Sequence, residues 1–387
     1  MSDFLARRCD YPAFTLDPGM HVQILGPRFI GYCPANNMEV VSLEMPKIEV
    51  VAIAKATVVG GTNFILSQKI AIYPDLFVPS RDASPAELYG SASIDPDICQ
   101  VKFYISRKSK KVDRAISLLG QCTGNYAHWL TETLPKLVIV DACPEYDDLP
   151  LLVDEWIHPN FYNSIKLLGK HPRQIIAIGR FQPCELSCVI DVSPPAYIPA
   201  EYRAYLATKE VVKISHDVFP FSRRALDMLR DAAWKAVSLN AKPSVKRRLY
   251  LRRAPESCGN PRMIANIDEV EGLIMKSGFE VIDPGKMSFS EQISVFMNAE
   301  IVISAVGAAL ANMIFMPPGS RIIAMAPYYK NANYYYFSNM AGVLDHELLY
   351  VLGPQKDMGD HPLHRDYYVD TDALFDALSN LRPPLPL

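Results

Sequence analysis

The stretch Ile301 to Met325, IVISAVGAALANMIFMPPGSRIIAM, constrains the fold more than any other part of the chain. Five apolar or small residues, Ile301 to Ala305, have the length and composition of a buried strand. Gly307 follows, and the small-residue run Ala308, Ala309, Leu310, Ala311 and Asn312 opens a helix. Pro317-Pro318-Gly319 stops that helix, and Ile322 to Met325 starts another strand. Strand, glycine turn, helix and strand form one unit of a parallel α/β sheet. In such sheets ligands sit beyond the carboxyl ends of the strands, beside helix N-termini. Small residues there let a ligand approach the backbone, and free N–H groups favour phosphate. The turn suits the diphosphate of a nucleotide-linked substrate, although α/β proteins contain several such turns with no ligand.

The flanking pattern agrees. Strands predicted at Leu249 to Arg252, Phe279 to Asp283, Ile301 to Ala305, Arg321 to Met325 and Leu348 to Leu352 alternate with helices at 267–277, 289–298, 308–315 and 334–343. Connections this short favour right-handed crossovers and a doubly wound sheet, so residues 216–387 read as a Rossmann-like domain. It opens with an amphipathic helix, 222–240, whose Leu226, Leu229, Ala233 and Val237 share one face. Asp370-Thr371-Asp372 reads as the N-cap of a last helix, 372–381. Residues 101–215 read as a second Rossmann-like domain. Its strands are Val101 to Ser106, Ala115 to Leu119, Leu149 to Val153, Gln174 to Ile178 and Leu186 to Val192. Gly124-Asn125 opens a helix that Pro135 should kink or end, and SPPAYIP (193–199) reads as a connector. Residues 1–100 are a β-rich N-terminal part, with strand signals at His21 to Leu25, Arg28 to Tyr32, Lys47 to Val59, Asn63 to Leu66 and Ile70 to Tyr73.

Several function classes drop out. A formal net charge of −3 gives no basic footprint for nucleic acid. No run reaches the ~18 apolar residues of a membrane span, and the start, MSDFLARRCDYPAF, lacks an apolar signal core. The eight cysteines show no framework spacing and read as reduced thiols of a cytoplasmic protein. There is no G-x-G-x-x-G, Walker A loop, H-E-x-x-H or G-x-S-x-G, so no cofactor is expected. Cys184-x-x-x-Cys188 lacks a matching second pair. Asp95-Pro96-Asp97 superficially matches the acidic pair that holds a metal in many sugar-transferring enzymes, but reads as a turn, so no metal is expected.

Four features point to chemistry. His128 has Glu132 one turn later on the same helix face, where a carboxylate orients an imidazole and raises its basicity; a packed core histidine would look the same. KRRLYLRR (246–253) ends a strand in Arg252 and Arg253, placed either to clamp phosphate or simply to be solvated. Glu291-Gln292 opens a helix after Phe289, where acids are favoured in any case. The tyrosines of PYYKNANYYYF (327–337) offer faces for sugars or bases, or the edge of a core.

Together these pieces resemble glycosyltransferase family 61, a group of capsule- and glycan-modifying enzymes. Asn125-Tyr126-Ala127-His128-Trp129-Leu130 with Leu134-Pro135 resembles the family's N-x-x-H-W/F motif and following L-P. Tyr250-Leu251-Arg252-Arg253 resembles its strand ending in Arg, and Arg262 with Asn266 its R-x-x-x-N element. Gly278-Phe279 with Phe289, Glu291 and Gln292 resembles its G-F … S-F-x-E-Q segment. Gly307-Ala308, Asn312, Phe315 and Pro317-Pro318-Gly319 resemble its G-A-x-x-x-N-x-x-F-x-P-P-G loop, and Leu349-Tyr350 the strand after it.

The resemblance implies a GT-B-like α/β architecture, two Rossmann-like domains facing a cleft, with the donor held mainly by the C-terminal domain and the acceptor by the N-terminal one. It implies metal-independent, inverting transfer from a nucleotide sugar, with a UDP-sugar the expected donor, to a glycan or lipid-linked glycan acceptor in polysaccharide or capsule biosynthesis. Peripheral contact with a membrane surface is compatible with it. His128 would be the base, oriented by Glu132. Asn125 and Trp129 would face the acceptor. Arg253, Arg262, Asn266, Glu291, Gln292, Gly307, Ala308, Ala309 and Asn312 would bind the donor. The family often has His before the Gly-Ala of its loop and Glu in the next strand; here Val306 and Ala324 stand there, which motivates a second reading as a non-catalytic nucleotide-sugar- or glycan-binding relative. A nucleotide-sugar-modifying epimerase is a third, disfavoured by the missing dinucleotide fingerprint.

Overall fold

The structure, a computed structural model, describes residues 13–32, 39–74, 92–95, 100–105, 108–198, 215–238, 246–253, 262–356 and 362–381. Its strands are β1 Ala13–Asp17, β2 His21–Leu25, β3 Arg28–Gly31, β4 Val40–Glu44, β5 Ile48–Val59, β6 Ile65–Ser67, β7 Ile70–Ile72, β8 Ala92–Asp95, β9 Gln100–Phe103, β10 Lys110–Ser117, β11 Leu151–Asp154, β12 Ile175–Ile178, β13 Pro183–Val192, β14 Arg247–Leu251, β15 Glu280–Ile282, β16 Ala299–Ala305, β17 Arg321–Tyr328 and β18 Glu347–Pro354. The chain divides into two compact units.

The first unit is built on an eight-stranded sheet ordered β12-β11-β10-β13-β5-β6-β7, with β1 also paired to β5. Strands β12, β11, β10 and β13 run parallel; β5, β6 and β7 continue the sheet antiparallel. The run IEVVAIAKATVV of β5 is buried along most of its length because neighbours cover it on both sides. Its core joins Ile53, Val58, Ala115, Leu152 and Val189. A parallel interior needs apolar side chains on both faces, which is what β11 supplies, being buried at all four positions. A helix not anticipated above, Pro159–Leu168, follows β11. Pro159 sits at its first turn, and the His158 ring accepts from Asn160 N–H to cap it.

The second unit carries a six-stranded, wholly parallel sheet ordered β15-β14-β16-β17-β18-β3. Predicted strands at 249–252, 301–305, 321–325 and 348–352 all lie in it, in the register Ile301↔Arg321 and Ile323↔Leu349. Its sixth strand, β3, comes from the β-rich N-terminal hundred residues and pairs with β18. Those residues therefore serve both sheets, β5 to β7 in the first unit and β3 in the second. The core gathers Tyr250, Val270, Ile274, Ile303, Ile323, Val351 and Leu374.

Two local predictions change. The helix after Gly307 is a 3₁₀ helix, Ala308–Phe315, not an α-helix. It has no side-chain cap, and the buried Asn312 holds it tight by donating from Nδ2 to Ala309 O and to Gln292 Oε1, both at 3.1 Å. Pro135 neither ends nor breaks its helix. Tyr126–His128, a π-helical turn Trp129–Thr133 and Leu134–Val140 run on without a gap. Leu134 N–H bonds Trp129 O, five residues back, so the ladder widens just before the residue that lacks an N–H.

Candidate active site

In the first unit the site begins with the loop that leaves β10. Asn125 caps the following helix, its Oδ1 accepting from Ala127 N–H at 2.9 Å. Trp129 anchors it: the indole is wholly buried, stacks on Phe161 at 4.8 Å and donates to Ser164 Oγ at 3.0 Å. Deeper along the same helical run, buried Lys136 pairs with Asp191 of β13 at 3.3 Å. Burial raises the Asp191 carboxyl, and Lys136 opposes that rise. These contacts fix the turn that carries His128. Its Nδ1 meets Glu132 Oε1 at 2.5 Å, with the two side chains 19% and 23% exposed. The pair is thus half-buried and reachable from solvent. Trp129, expected to face the acceptor, is a core residue with no exposed surface, and Asn125 spends its side-chain oxygen on the cap.

Asp154, not singled out from sequence, sits at the carboxyl end of β11 and is fully buried. Its Oδ1 accepts from Gly61 N–H at 2.8 Å, and its Oδ2 from Gly120 N–H at 3.1 Å and Thr123 Oγ1 at 2.6 Å. One carboxyl therefore ties the turn after β5 to the loop that leads into the His128 helix. Burial pushes it up to about 7, with the hydrogen bonds from Thr123, Gly61 and Gly120 pulling the other way. A folded-state value above the ordinary 3.8 means folding favours the protonated form. That contribution is complete below the ordinary value and is lost as pH rises through about 7. Thermal unfolding across that range should show stability falling with rising pH, and Asp154→Asn should abolish the slope. The same variant turns an amide donor toward the Gly61 or Gly120 N–H and should cost about 1–3 kcal/mol.

In the second unit the site gathers at the carboxyl ends of β14 and β16. Consecutive side chains at the end of β14 diverge. Arg252 turns to Glu271, with Nε to Oε1 at 2.7 Å and Nη2 to Oε2 at 2.5 Å. Arg253 turns to the Gly307 loop, where a Cβ added to Gly307 would lie 3.9 Å from Nη1. Arg262 reaches the same loop, donating from Nη2 to Val306 O and from Nη1 to Leu363 O at 2.8 Å. Burial and the neighbouring Arg262 hold the Arg253 guanidinium below its ordinary value. The buried Tyr367 phenol donates to Met325 O at 2.9 Å; burial raises it to about 12 while Arg262 and Arg253 draw it down. Two mutually repelling guanidiniums thus converge on one turn, a crowding that an anion placed there would relieve. Residues 305–309 are partly exposed there, and the first N–H groups of the 3₁₀ helix, at Gly307, Ala308 and Ala309, have no backbone acceptor among the described residues.

The other predicted donor residues do structural work. Asn266 exchanges two hydrogen bonds with the Val369 backbone, Nδ2 to the carbonyl and Oδ1 from the N–H, each 2.9 Å. Glu291 completes a capping box with Ser288, accepting from Ser288 N–H at 2.7 Å, and those bonds hold its carboxyl below the usual range. Gln292 and Asn312 are a buried amide pair that locks the helix Phe289–Phe296 to the 3₁₀ helix. Tyr334 and Tyr350 pack with Phe29 at ring distances of 5.0 and 5.8 Å, so the tyrosine cluster is in part a core edge. Ala324 is fully buried in the middle of β17. Of the Asp95-Pro96-Asp97 element, Pro96 and Asp97 lie outside the described residues. Among the described residues no group of three or more His, Cys, Asp or Glu is arranged to hold a metal ion, and no helix is long and apolar enough to cross a membrane.

A family model described as Glycosyltransferase 61 matches residues 126–323, just over half of the 387-residue chain. The match spans both the His128 helix and the Gly307 turn. No curated protein matches the sequence. Among solved structures, the dodecameric iron-containing heptosyltransferase TibC, crystallised with ADP-D-β-D-heptose, is similar at 10% identity over 90% of this chain and 83% of that chain, with a TM-score of 0.27. So slight a likeness carries no weight for the site.

Proposed function

The chain belongs to glycosyltransferase family 61 and is a glycosyltransferase, and on that premise we propose that it moves a sugar, with inversion and without a metal, from a nucleotide sugar to a hydroxyl of a glycan acceptor. The observation that carries the reading is the convergence of Arg253 and Arg262 on Gly307. The second unit is the donor side and the first the acceptor side, a GT-B-type division of labour. His128 takes the proton from the acceptor hydroxyl while Glu132 holds the imidazole and stabilises its charged form. The hydroxyl oxygen forms the new bond to the anomeric carbon, and the bond from that carbon to the nucleotide's phosphate oxygen breaks. Arg253, Arg262 and the N–H groups at Gly307 to Ala309 take up the negative charge that develops on the leaving group. Two fixed guanidiniums supply there the charge that a divalent cation supplies in other transferases.

Gly307 gives a clean test. Its φ is 176°, an extended backbone that any residue adopts, and an added Cβ would meet only Arg253 Nη1 at 3.9 Å and Ala305 O at 4.0 Å. Folding therefore does not need glycine at this position, but close approach of a phosphate does. Gly307→Ala should unfold within about 0.5 kcal/mol of wild type yet bind UDP or its sugars about tenfold more weakly, as read by thermal shift. Unchanged affinity in a folded Gly307→Ala protein would remove the diphosphate from this turn.

A further inference from the structure

Trp156 lies two residues after Asp154, beyond the carboxyl end of β11, and its side chain is 41% exposed. A lone exposed aromatic is ordinary on a protein surface. Its seat is not. A Cβ on Gly61 would lie 3.2 Å from Cη2, and a Cβ on Gly124 would lie 3.6 Å from Cδ1 and 3.8 Å from Nε1. Glycine backbone thus supports the ring at both its benzene and its pyrrole end. Gly61 also has φ +80°, in the left-handed region. Both supports are tied to the Asp154 carboxylate, Gly61 directly and the Gly124 segment through Gly120 and Thr123. The platform is therefore rigid before any ligand arrives. The indole N–H donates to no acceptor among the described residues. Gly124 directly precedes Asn125, the cap of the helix that bears His128.

A flat apolar face with one donor at its rim, at the ligand end of a parallel sheet, suits a molecule with an apolar face and a hydroxyl edge. We propose that Trp156 is the floor of an acceptor-sugar subsite, a pyranose ring lying with its C–H face on the indole and one hydroxyl accepting from Nε1–H. The assignment rests on reading the first unit as the acceptor side of a transferase. It adds the residue that holds the acceptor ring, which the family motifs do not mark.

The chain has three tryptophans, so three indole N–H signals report on 15N-labelled protein. The probes are the methyl β-glycosides of glucose, galactose, xylose and N-acetylglucosamine, each titrated into the full chain. The Trp156 signal, identified by its disappearance in Trp156→Phe, should move saturably with at least one glycoside, while that of buried Trp129 stays still. Trp156→Ala should weaken binding of that glycoside by about tenfold or more, and Trp156→Phe, which keeps a ring and loses the donor, should fall between. No response of Trp156 to any of the four, or unchanged affinity in Trp156→Ala, overturns the proposal. UDP binding is measured on the same samples. Unshifted indole signals of Trp129 and Trp234, both in the first unit, show that Trp156→Ala is folded there. Failure of wild type to bind UDP while Trp156 still responds would overturn the donor reading and leave the sugar subsite standing.

Discussion

His128→Ala is expected to lower sugar transfer by about 10²–10⁴-fold, the range a positioned general base supplies, with the fold intact. The expectation of a retained fold comes from the packing. The turn is held by the Asn125 cap, the buried Trp129 and the Lys136–Asp191 pair. The imidazole is partly exposed, and its short contact is to the equally accessible Glu132. Its removal leaves no buried charge stranded, so stability should change by no more than about 1 kcal/mol. Glu132→Gln should lie between wild type and His128→Ala, since the amide still meets Nδ1 but no longer stabilises the protonated ring. Donor affinity should be untouched in both, because the role proposed for the imidazole is at the acceptor hydroxyl alone. A folded His128→Ala enzyme with full activity would end the base assignment.

The second large effect is expected at Arg253. Arg253→Ala removes one of two guanidiniums at the Gly307 turn, and loss of one such preorganised charge typically costs about 10²–10³ in rate. Arg253 suits this test better than Arg262, which also holds the Val306 and Leu363 carbonyls and would loosen the turn if removed. Because Arg253 is crowded by Arg262, its removal relieves repulsion in the empty protein. The ligand-free variant should stay folded, while UDP-induced stabilisation drops sharply. Arg253→Lys should recover only part of the binding, since a point charge lacks the guanidinium fork. A variant that lost stability and kept donor affinity would make Arg253 a structural residue.

Much of the second unit was legible because its signals are local. Ile301 to Ala305 is a buried strand wherever it occurs, and Asp370 is the cap of its helix, accepting from Ala373 N–H at 3.0 Å. The ordered motifs also brought out Arg253, Arg262 and Gly307, which the fold gathers at one turn. What local pattern could not distinguish was function from support. Asn266, Glu291, Gln292 and Asn312 are polar residues at loop and helix ends, and each spends its hydrogen bonds inside the protein. Nor does a window reveal pairing at long range. Arg28 to Gly31 looks like any short strand until it is placed beside β18. Asp154 and Trp156 were silent for the same reason: their meaning depends on Gly61, Gly120 and Gly124, brought together only by the sheet. The helix Pro159–Leu168 did carry a signal, Pro at its first turn with Phe161, Ile165 and Leu168 on one face.

The central claim is a division of labour, with donor binding on the Arg253–Gly307 turn and proton removal at His128. The measurement that tests it most directly pairs two readouts on wild type, His128→Ala and Arg253→Ala. Each protein is screened against UDP-, GDP-, CMP- and dTDP-sugars for thermal shift, and the donor that stabilises wild type is then tested for transfer to a glycoside acceptor. The account predicts that His128→Ala keeps the shift and loses transfer, and that Arg253→Ala loses both. A His128→Ala protein that transfers at the wild-type rate, or an Arg253→Ala protein that keeps the full shift, would contradict it.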